Sequence, residues 1–268
     1  MGTYRIGQAV TREEDNILLR GKGRYVDDVS APKEARAYVL RSPHAHARIL
    51  SIDTSRAEAA PGVLAVLTGN DARKRGLGTT HPMFPGRGRN GPPAVACTAP
   101  LLAQERVRYF GEGVAFVVAE TLNQAKDAAE LIDVRYEALP AVIDAEAALA
   151  PDAPALWKDN PGNEAYCHEA GDRAAVEAAF TKVARVIRET IRTARITANP
   201  MEPRGCLAEY DPNRDRYTLR CTTQTVHMIR SDLAGHIFKL PETKFRVVCD
   251  QMGGGFGMRT HCYPEYAL

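Results

Sequence analysis

The chain has 268 residues, 44% of them hydrophobic, which is enough for one or two domains with a substantial buried core. Lysine and arginine number 35 against 33 aspartate and glutamate, so no global field draws the protein to nucleic acid or an anionic membrane. Met1–Gln8 shows no secretory signal and apolar runs such as Val114–Ala119 are strand-length, so a soluble cytoplasmic protein without a membrane span is expected.

From about Gly21 to Tyr136, short strand and helix signals interleave as in a mixed α/β domain. Ala35–Leu40 and Arg48–Asp53 read as strands, and Thr54–Ala60 as a short helix opened by a hydroxyl cap and closed by Pro61-Gly62. Val63–Leu67 and Val114–Ala119 are apolar enough for buried strands. Thr121 is placed to cap a helix over Leu122–Ile132 whose Leu122, Ala125, Ala129 and Ile132 share one face. The stretch Thr79–Pro100, with Pro82, Pro85, Pro92 and Pro93, predicts a long surface loop. Inside it Gly86-Arg-Gly-Arg-Asn-Gly91 fits the dinucleotide-binding fingerprint by letter, but no strand leads into it and prolines flank it, so a pyridine-nucleotide site there is a weak reading. Its arginines are candidates to meet a partner subunit.

Val142–Asn163, rich in Ala, Pro and Asp, reads as a linker. Gly171–Phe180 predicts a short helix, Ala184–Thr193 a strand, Gly205–Asp211 a strand, and the Val226, Ile229, Leu233, Ile237 spacing a helix leading through Pro241 to a further strand. In that last strand Phe245, Val247 and Cys249 alternate with Arg246, Val248 and Asp250, and the run delivers the chain into Gly253-Gly-Gly-Phe-Gly257. Glycines lack the Cβ atoms that keep a ligand from the amides, and successive exposed N–H groups make a concavity for anionic or oxo-type ligands. A tight turn is the alternative, against which Phe256 argues as the wall of an ordered pocket.

The six cysteines, Cys97, Cys167, Cys206, Cys221, Cys249 and Cys262, show no close pairing of the zinc or iron–sulfur kind, so any iron–sulfur centre is expected on another chain. His44 and His46 share a strand face without an evident third ligand and read as structural or surface residues rather than metal ligands.

Several motifs in order carry a family resemblance. Asn199–Asp211, Thr222-Thr-Gln-Thr225 and the glycine loop resemble the molybdenum-binding large subunit of the xanthine dehydrogenase, aldehyde oxidase and carbon monoxide dehydrogenase family. Ile6–Arg12, Leu19–Asp28, Arg41–Arg48, Pro61–Gly69, Leu102–Ala115 and Val134–Pro140 look like that family's opening segment and its small domain. The resemblance implies an α+β (mixed α/β) fold: an N-terminal extension over 1–20, an α/β hammerhead domain over 21–141, the linker over 142–163, and the first part of a molybdopterin-binding domain over 164–268. It implies oxidation of a small carbonyl, an N-heterocycle or carbon monoxide with water as oxygen source. The cofactor would be molybdenum–molybdopterin in its cytosine dinucleotide form, with no protein side chain as a direct metal ligand.

By the same resemblance, Gln224 offers a neutral carboxamide donor near the metal, and Gly254, Gly255, Phe256 and Gly257 form the cofactor-binding loop. Without the resemblance, Gln224 would read as a residue satisfying nearby backbone at a strand end. Glu202 and Arg204 in Met201-Glu-Pro-Arg204 are expected to pair and fix a turn. Purine-oxidising relatives carry an acidic residue where this chain has Thr260, so a purine substrate is not expected. The general-base glutamate of the family is expected beyond Leu268, in a C-terminal portion that would be one partner of this chain. The others would be an iron–sulfur small subunit carrying 2Fe–2S and a medium subunit carrying FAD. The alternative is a truncated, inactive product with only a folding or subunit-docking role.

Overall fold

A computed structural model describes residues 7, 9–82 and 98–268. The fingerprint-like Gly86–Gly91 and Cys97 lie outside the described residues.

After a turn of helix α1 (Asp15–Leu18), β1 (Arg36–Arg41), β2 (Ala47–Asp53), helix α2 (Ser55–Glu58), β3 (Val63–Thr68) and helix α3 (Gly69–Lys74) follow in order. Thr54 does not cap α2 through its hydroxyl, which instead meets Glu58; Asp53 Oδ1 accepts from Ser55 N at 3.0 Å. The short pair β4 (Thr79–Thr80) and β5 (Ala99–Pro100) brackets the proline-rich stretch, so its described ends form a ladder rather than open loop. Then come β6 (Arg106–Val107), β7 (Gly113–Ala119), helix α4 (Leu122–Glu130) and β8 (Asp133–Ala138).

Two antiparallel three-stranded sheets result, in the orders β1-β7-β3 and β6-β2-β8. The central strand β7 is buried because its Val114, Ala115, Val117 and Ala119 meet α4 on one side and the second sheet on the other. Thr121 Oγ1 accepts from Gln124 N at 3.3 Å, and Ala125, Ala128, Ala129 and Ile132 form the buried stripe. Leu122, expected on that stripe, is exposed. It is the first helical residue, where the sheet has not yet closed over the helix.

Val142–Asn163 is pinned more firmly than its composition implies. It contains helix α5 (Ala145–Ala148), and Asn163 holds its own segment together through Leu156 N, Ala148 O and Pro154 O at 3.0–3.1 Å. Arg108 reaches across from β6, with its guanidinium over the Trp157 ring and Nε donating to Leu156 O at 3.0 Å.

Helix α6 (Arg173–Lys182) follows as expected, capped by Asp172. The strand expected over Ala184–Thr193 is absent: residues 185–200 pair with no strand. Strand propensity expresses itself only against a neighbour, and none among the described residues pairs with this stretch. Because every residue from 168 to 199 is exposed, trypsin is expected to cut first, among the described residues, after Arg185, Arg188, Arg192 or Arg195. Mass spectrometry of the earliest fragments checks this, and first cleavage after Lys158 would contradict it.

The second sheet system joins β9 (Cys206–Asp211) antiparallel to β10 (Arg216–Cys221), which runs parallel to β11 (Phe245–Val248). The parallel pair needs a crossover, supplied by helix α7 (Val226–Ser231) and its π-helical continuation over Asp232–Phe238. Ile229, Leu233 and Ile237 on this crossover pack against Leu219, Phe245 and Tyr266. Burial pushes the thiols of Cys221 and Cys262 up, the latter to about 12, so both sit in this core as neutral hydrophobes. Leu101 enters the same core, and Gly78 N donates to Ile237 O at 2.8 Å, tying the ladder β4-β5 to the crossover.

Candidate functional site

The strand β11 ends at Val248, and the chain then turns through Gly253–Gly257 with Gly254 at φ +106°, Phe256 at +50° and Gly257 at +79°. Left-handed backbone suits the glycines, whereas at Phe256 it costs roughly 1–3 kcal/mol unless neighbours hold it. Phe256 is not a buried wall: it is 75% exposed, with its ring lying over Gly254.

What holds the loop is a network that spans the chain. Thr223 Oγ1 and Gln224 N both donate to Arg259 O, at 2.9 and 3.0 Å, and Thr225 Oγ1 donates to Thr260 O at 2.9 Å. The Thr222–Thr225 segment is thus laced to the segment that leaves the glycine loop. Beneath both lies Glu202. Its carboxylate accepts from Gly253 N at 2.7 Å, Arg259 Nη1 at 2.7 Å and Thr222 Oγ1 at 3.3 Å, while Arg259 Nη2 donates to the Glu202 carbonyl. The Arg259 side chain is 1% exposed.

Glu202 therefore does not pair with Arg204 as expected. Glu202 is taken by Arg259, and Arg204 instead stacks its guanidinium on the Tyr263 ring, 3.6 Å from the centroid. The role of Arg259 as buried counter-charge was not visible in sequence. Its only local signal is a basic residue just after a glycine loop.

Gln224 and the glycine loop are brought together. A Cβ placed on Gly255 would sit 2.5 Å from Gln224 Cδ, so the carboxamide lies directly against the bare Gly255 backbone. The Gln224 side chain is exposed and, among the described residues, unpartnered. The N–H groups of Gly254, Gly255, Phe256 and Gly257 likewise have no hydrogen-bond partner among the described residues, although those of Gly253 and Met258 on either side are taken by Glu202 and by Gly255 O. Four successive unused donors beside a free carboxamide form a neutral donor set for an anionic or oxo-bearing ligand.

The two histidines lie elsewhere. His46 is buried, its Nδ1 2.7 Å from Pro140 O, and His44 packs its ring against Tyr136. Among the described residues no three His, Cys, Asp or Glu side chains converge on one point. No helix among them is long and apolar enough to cross a membrane.

Comparison with known proteins places this geometry in a family. The aldehyde oxidase and xanthine dehydrogenase a/b hammerhead domain matches residues 20–140, and the molybdopterin cofactor-binding domain matches residues 156–268. The carbon monoxide dehydrogenase large chain of Afipia carboxidovorans is 38% identical over 95% of this chain and 32% of its own length. The nicotine 6-hydroxylase large subunit of Paenarthrobacter nicotinovorans is 36% identical over 98% of this chain and 31% of its own length. Among solved structures, quinoline 2-oxidoreductase from Pseudomonas putida 86 superposes with a TM-score of 0.86 at 38% identity, over 98% of this chain and 32% of that one. The chain thus spans about a third of the length of these relatives. With a hammerhead domain followed by the start of a molybdopterin-binding domain, it belongs to the xanthine dehydrogenase, aldehyde oxidase and carbon monoxide dehydrogenase family of molybdenum-binding large subunits and corresponds to their N-terminal portion.

Proposed function

We propose that this chain forms one wall of the cofactor site of a molybdenum hydroxylase large subunit, with Gln224, Gly254, Gly255, Phe256 and Gly257 as the residues that meet the cofactor. The observation that carries the reading is the run of unused N–H groups from Gly254 to Gly257 beside the free Gln224 carboxamide. These residues fit a molybdenum–pterin group, because the donors are uncharged, the one carboxylate at the loop, that of Glu202, is paired with Arg259, and Gly255 has no Cβ to push the Gln224 carboxamide away from the loop. When bound, that group supplies the two-electron oxidation of substrate with water as oxygen source. The residues of this chain position it. The loop amides fix its orientation, Gln224 donates a hydrogen bond without adding charge, and the Glu202–Arg259 pair keeps both in register.

Around this wall we place a cytosine dinucleotide form of the pterin, partner subunits carrying 2Fe–2S and FAD, and a general-base glutamate in the portion of the large subunit beyond this chain. Thr260, in place of an acidic residue, favours a small carbonyl, an N-heterocycle or carbon monoxide over a purine. The folding units are bounded by the pinned segment 142–163. One wall cannot enclose a pterin, so the chain alone should be inactive and hold far less than one molybdenum per molecule, whereas a completed large subunit should hold about one. Gly255→Val, which drives a side chain into Gln224, should then lower the metal content of the completed subunit several-fold. Elemental analysis decides: one molybdenum on the isolated chain would overturn the one-wall reading, and unchanged metal in Gly255→Val would remove the loop from the site.

A further inference from the structure

The ladder β4-β5 has two residues on each side, and Pro100 brings no N–H to it. So small a ribbon is not stable alone, and what seats it on the crossover decides whether it holds. Leu77 and Leu101 fix its base in the core. Further out, Gly78 N donates to Ile237 O at 2.8 Å, at a point where a Cβ on Gly78 would strike the His236 carbonyl, and Lys239 Nζ donates to Gly76 O at 3.1 Å. The outermost contact is a pair of imidazoles. His81, just past β4, stacks on His236 of the crossover with ring centroids 4.2 Å apart and planes 28° from parallel.

Imidazole is the side chain whose charge ordinarily changes near neutral pH. Neutral, the two rings stack; with both charged, like charges stand face to face. The neighbours decide how much of that repulsion is balanced. Burial, and then His236, lowers the pKa of His81 below its ordinary 6.5, with Asp232 pulling the other way. Asp232, about one turn before His236, has its carboxyl raised by burial and drawn back down by His236, His81 and His261. Lys239 is engaged by Gly76 O, and Thr79 Oγ1 lies 3.4 Å from His81 Nε2. A single carboxylate thus faces three imidazoles, enough to balance one charged ring but not two. Because the folded value of His81 lies below the unfolded one, the stack adds its stability in full above pH 6.5 and loses it as the pH falls through the lowered value.

We propose that His81 and His236 form an acid-released latch, which seats the outer end of the β4-β5 ladder on the crossover when the rings are neutral and lifts it when both are charged. The latch joins the part of the chain matched by the hammerhead domain to the part matched by the molybdopterin cofactor-binding domain. It does not depend on where the cofactor sits, and its test involves no molybdenum. Amide hydrogen exchange of the chain, resolved by residue with NMR, reads it through Gly78 N–H, with the amides of the buried strand β7 as the control. Between about pH 7.5 and about pH 5, the protection of Gly78, corrected for the intrinsic exchange rate, should fall about threefold or more while the β7 amides hold theirs. His81→Phe keeps a ring for the stack and removes its charge, so Gly78 should then be equally protected at both pH values. A Gly78 amide unprotected at the higher pH, or protected equally at both in the wild type, overturns the proposal. So does an equal fall in His81→Phe, or a fall of the β7 amides in step with Gly78, which marks general acid unfolding.

Discussion

Replacing Glu202 with alanine is expected to destabilise the isolated chain by about 3–5 kcal/mol, because it strips the counter-charge from an arginine that is almost wholly buried. The loss has three parts. Arg259 keeps its charge in a site with 1% exposure and retains only the Glu202 carbonyl as a side-chain acceptor, since its Nε already has no partner. Gly253 N loses the acceptor that anchors the start of the glycine loop, and Thr222 Oγ1 loses its contact with the Glu202 carboxylate. In urea the midpoint should fall by about 1–2 M for a chain of this size. Glu202→Gln keeps an acceptor for Gly253 but turns a carboxamide towards the guanidinium, so it should fall between wild type and alanine. A shift below about 1 kcal/mol for Glu202→Ala would place the pair among solvated surface bridges and remove it as the brace of the loop.

The pair also marks where sequence reasoning stops. Elements held by local signals were legible: β3 and β7 as apolar runs, α4 from its alanine stripe and Thr121 cap, α6 as the short helix over Gly171–Phe180, and the crossover from the spacing of Ile229, Leu233 and Ile237. The glycine loop and Gln224 could be named from motifs. How they touch could not, because it depends on Thr223 and Thr225 lacing to Arg259 and Thr260 some 35 residues away and on Glu202 reaching 57 residues to Arg259. Nothing periodic encodes such contacts. The same limit explains the missing strand at Ala184–Thr193, whose β-branched residues find no partner strand among the described residues.

Gln224→Ala should leave the fold and the metal content of a completed large subunit intact while reducing its turnover on the order of 100-fold, the usual cost of removing one preorganised donor. The fold survives because the main chain of Gln224, not its side chain, carries the lacing: its N–H bonds Arg259 O, and the flanking threonine hydroxyls do the rest. Metal content survives because the loop amides from Gly254 to Gly257 remain. On the proposed placement, what is lost is a neutral donor beside the site where negative charge accumulates as substrate is oxidised, so the rate of reduction by substrate should fall more than substrate binding weakens. Gln224→Glu separates charge from shape. It is nearly isosteric and fits against Gly255, yet it replaces a donor with a carboxylate, and it should be impaired at least as much as alanine. A merely structural glutamine would give the opposite order, with the isosteric variant close to wild type and alanine disturbing the loop. Rapid reduction kinetics at matched metal content distinguish the two: if Gln224→Ala is reduced at the wild-type rate, Gln224 is only packing against Gly255, and the site rests on the backbone donors of the glycine loop alone.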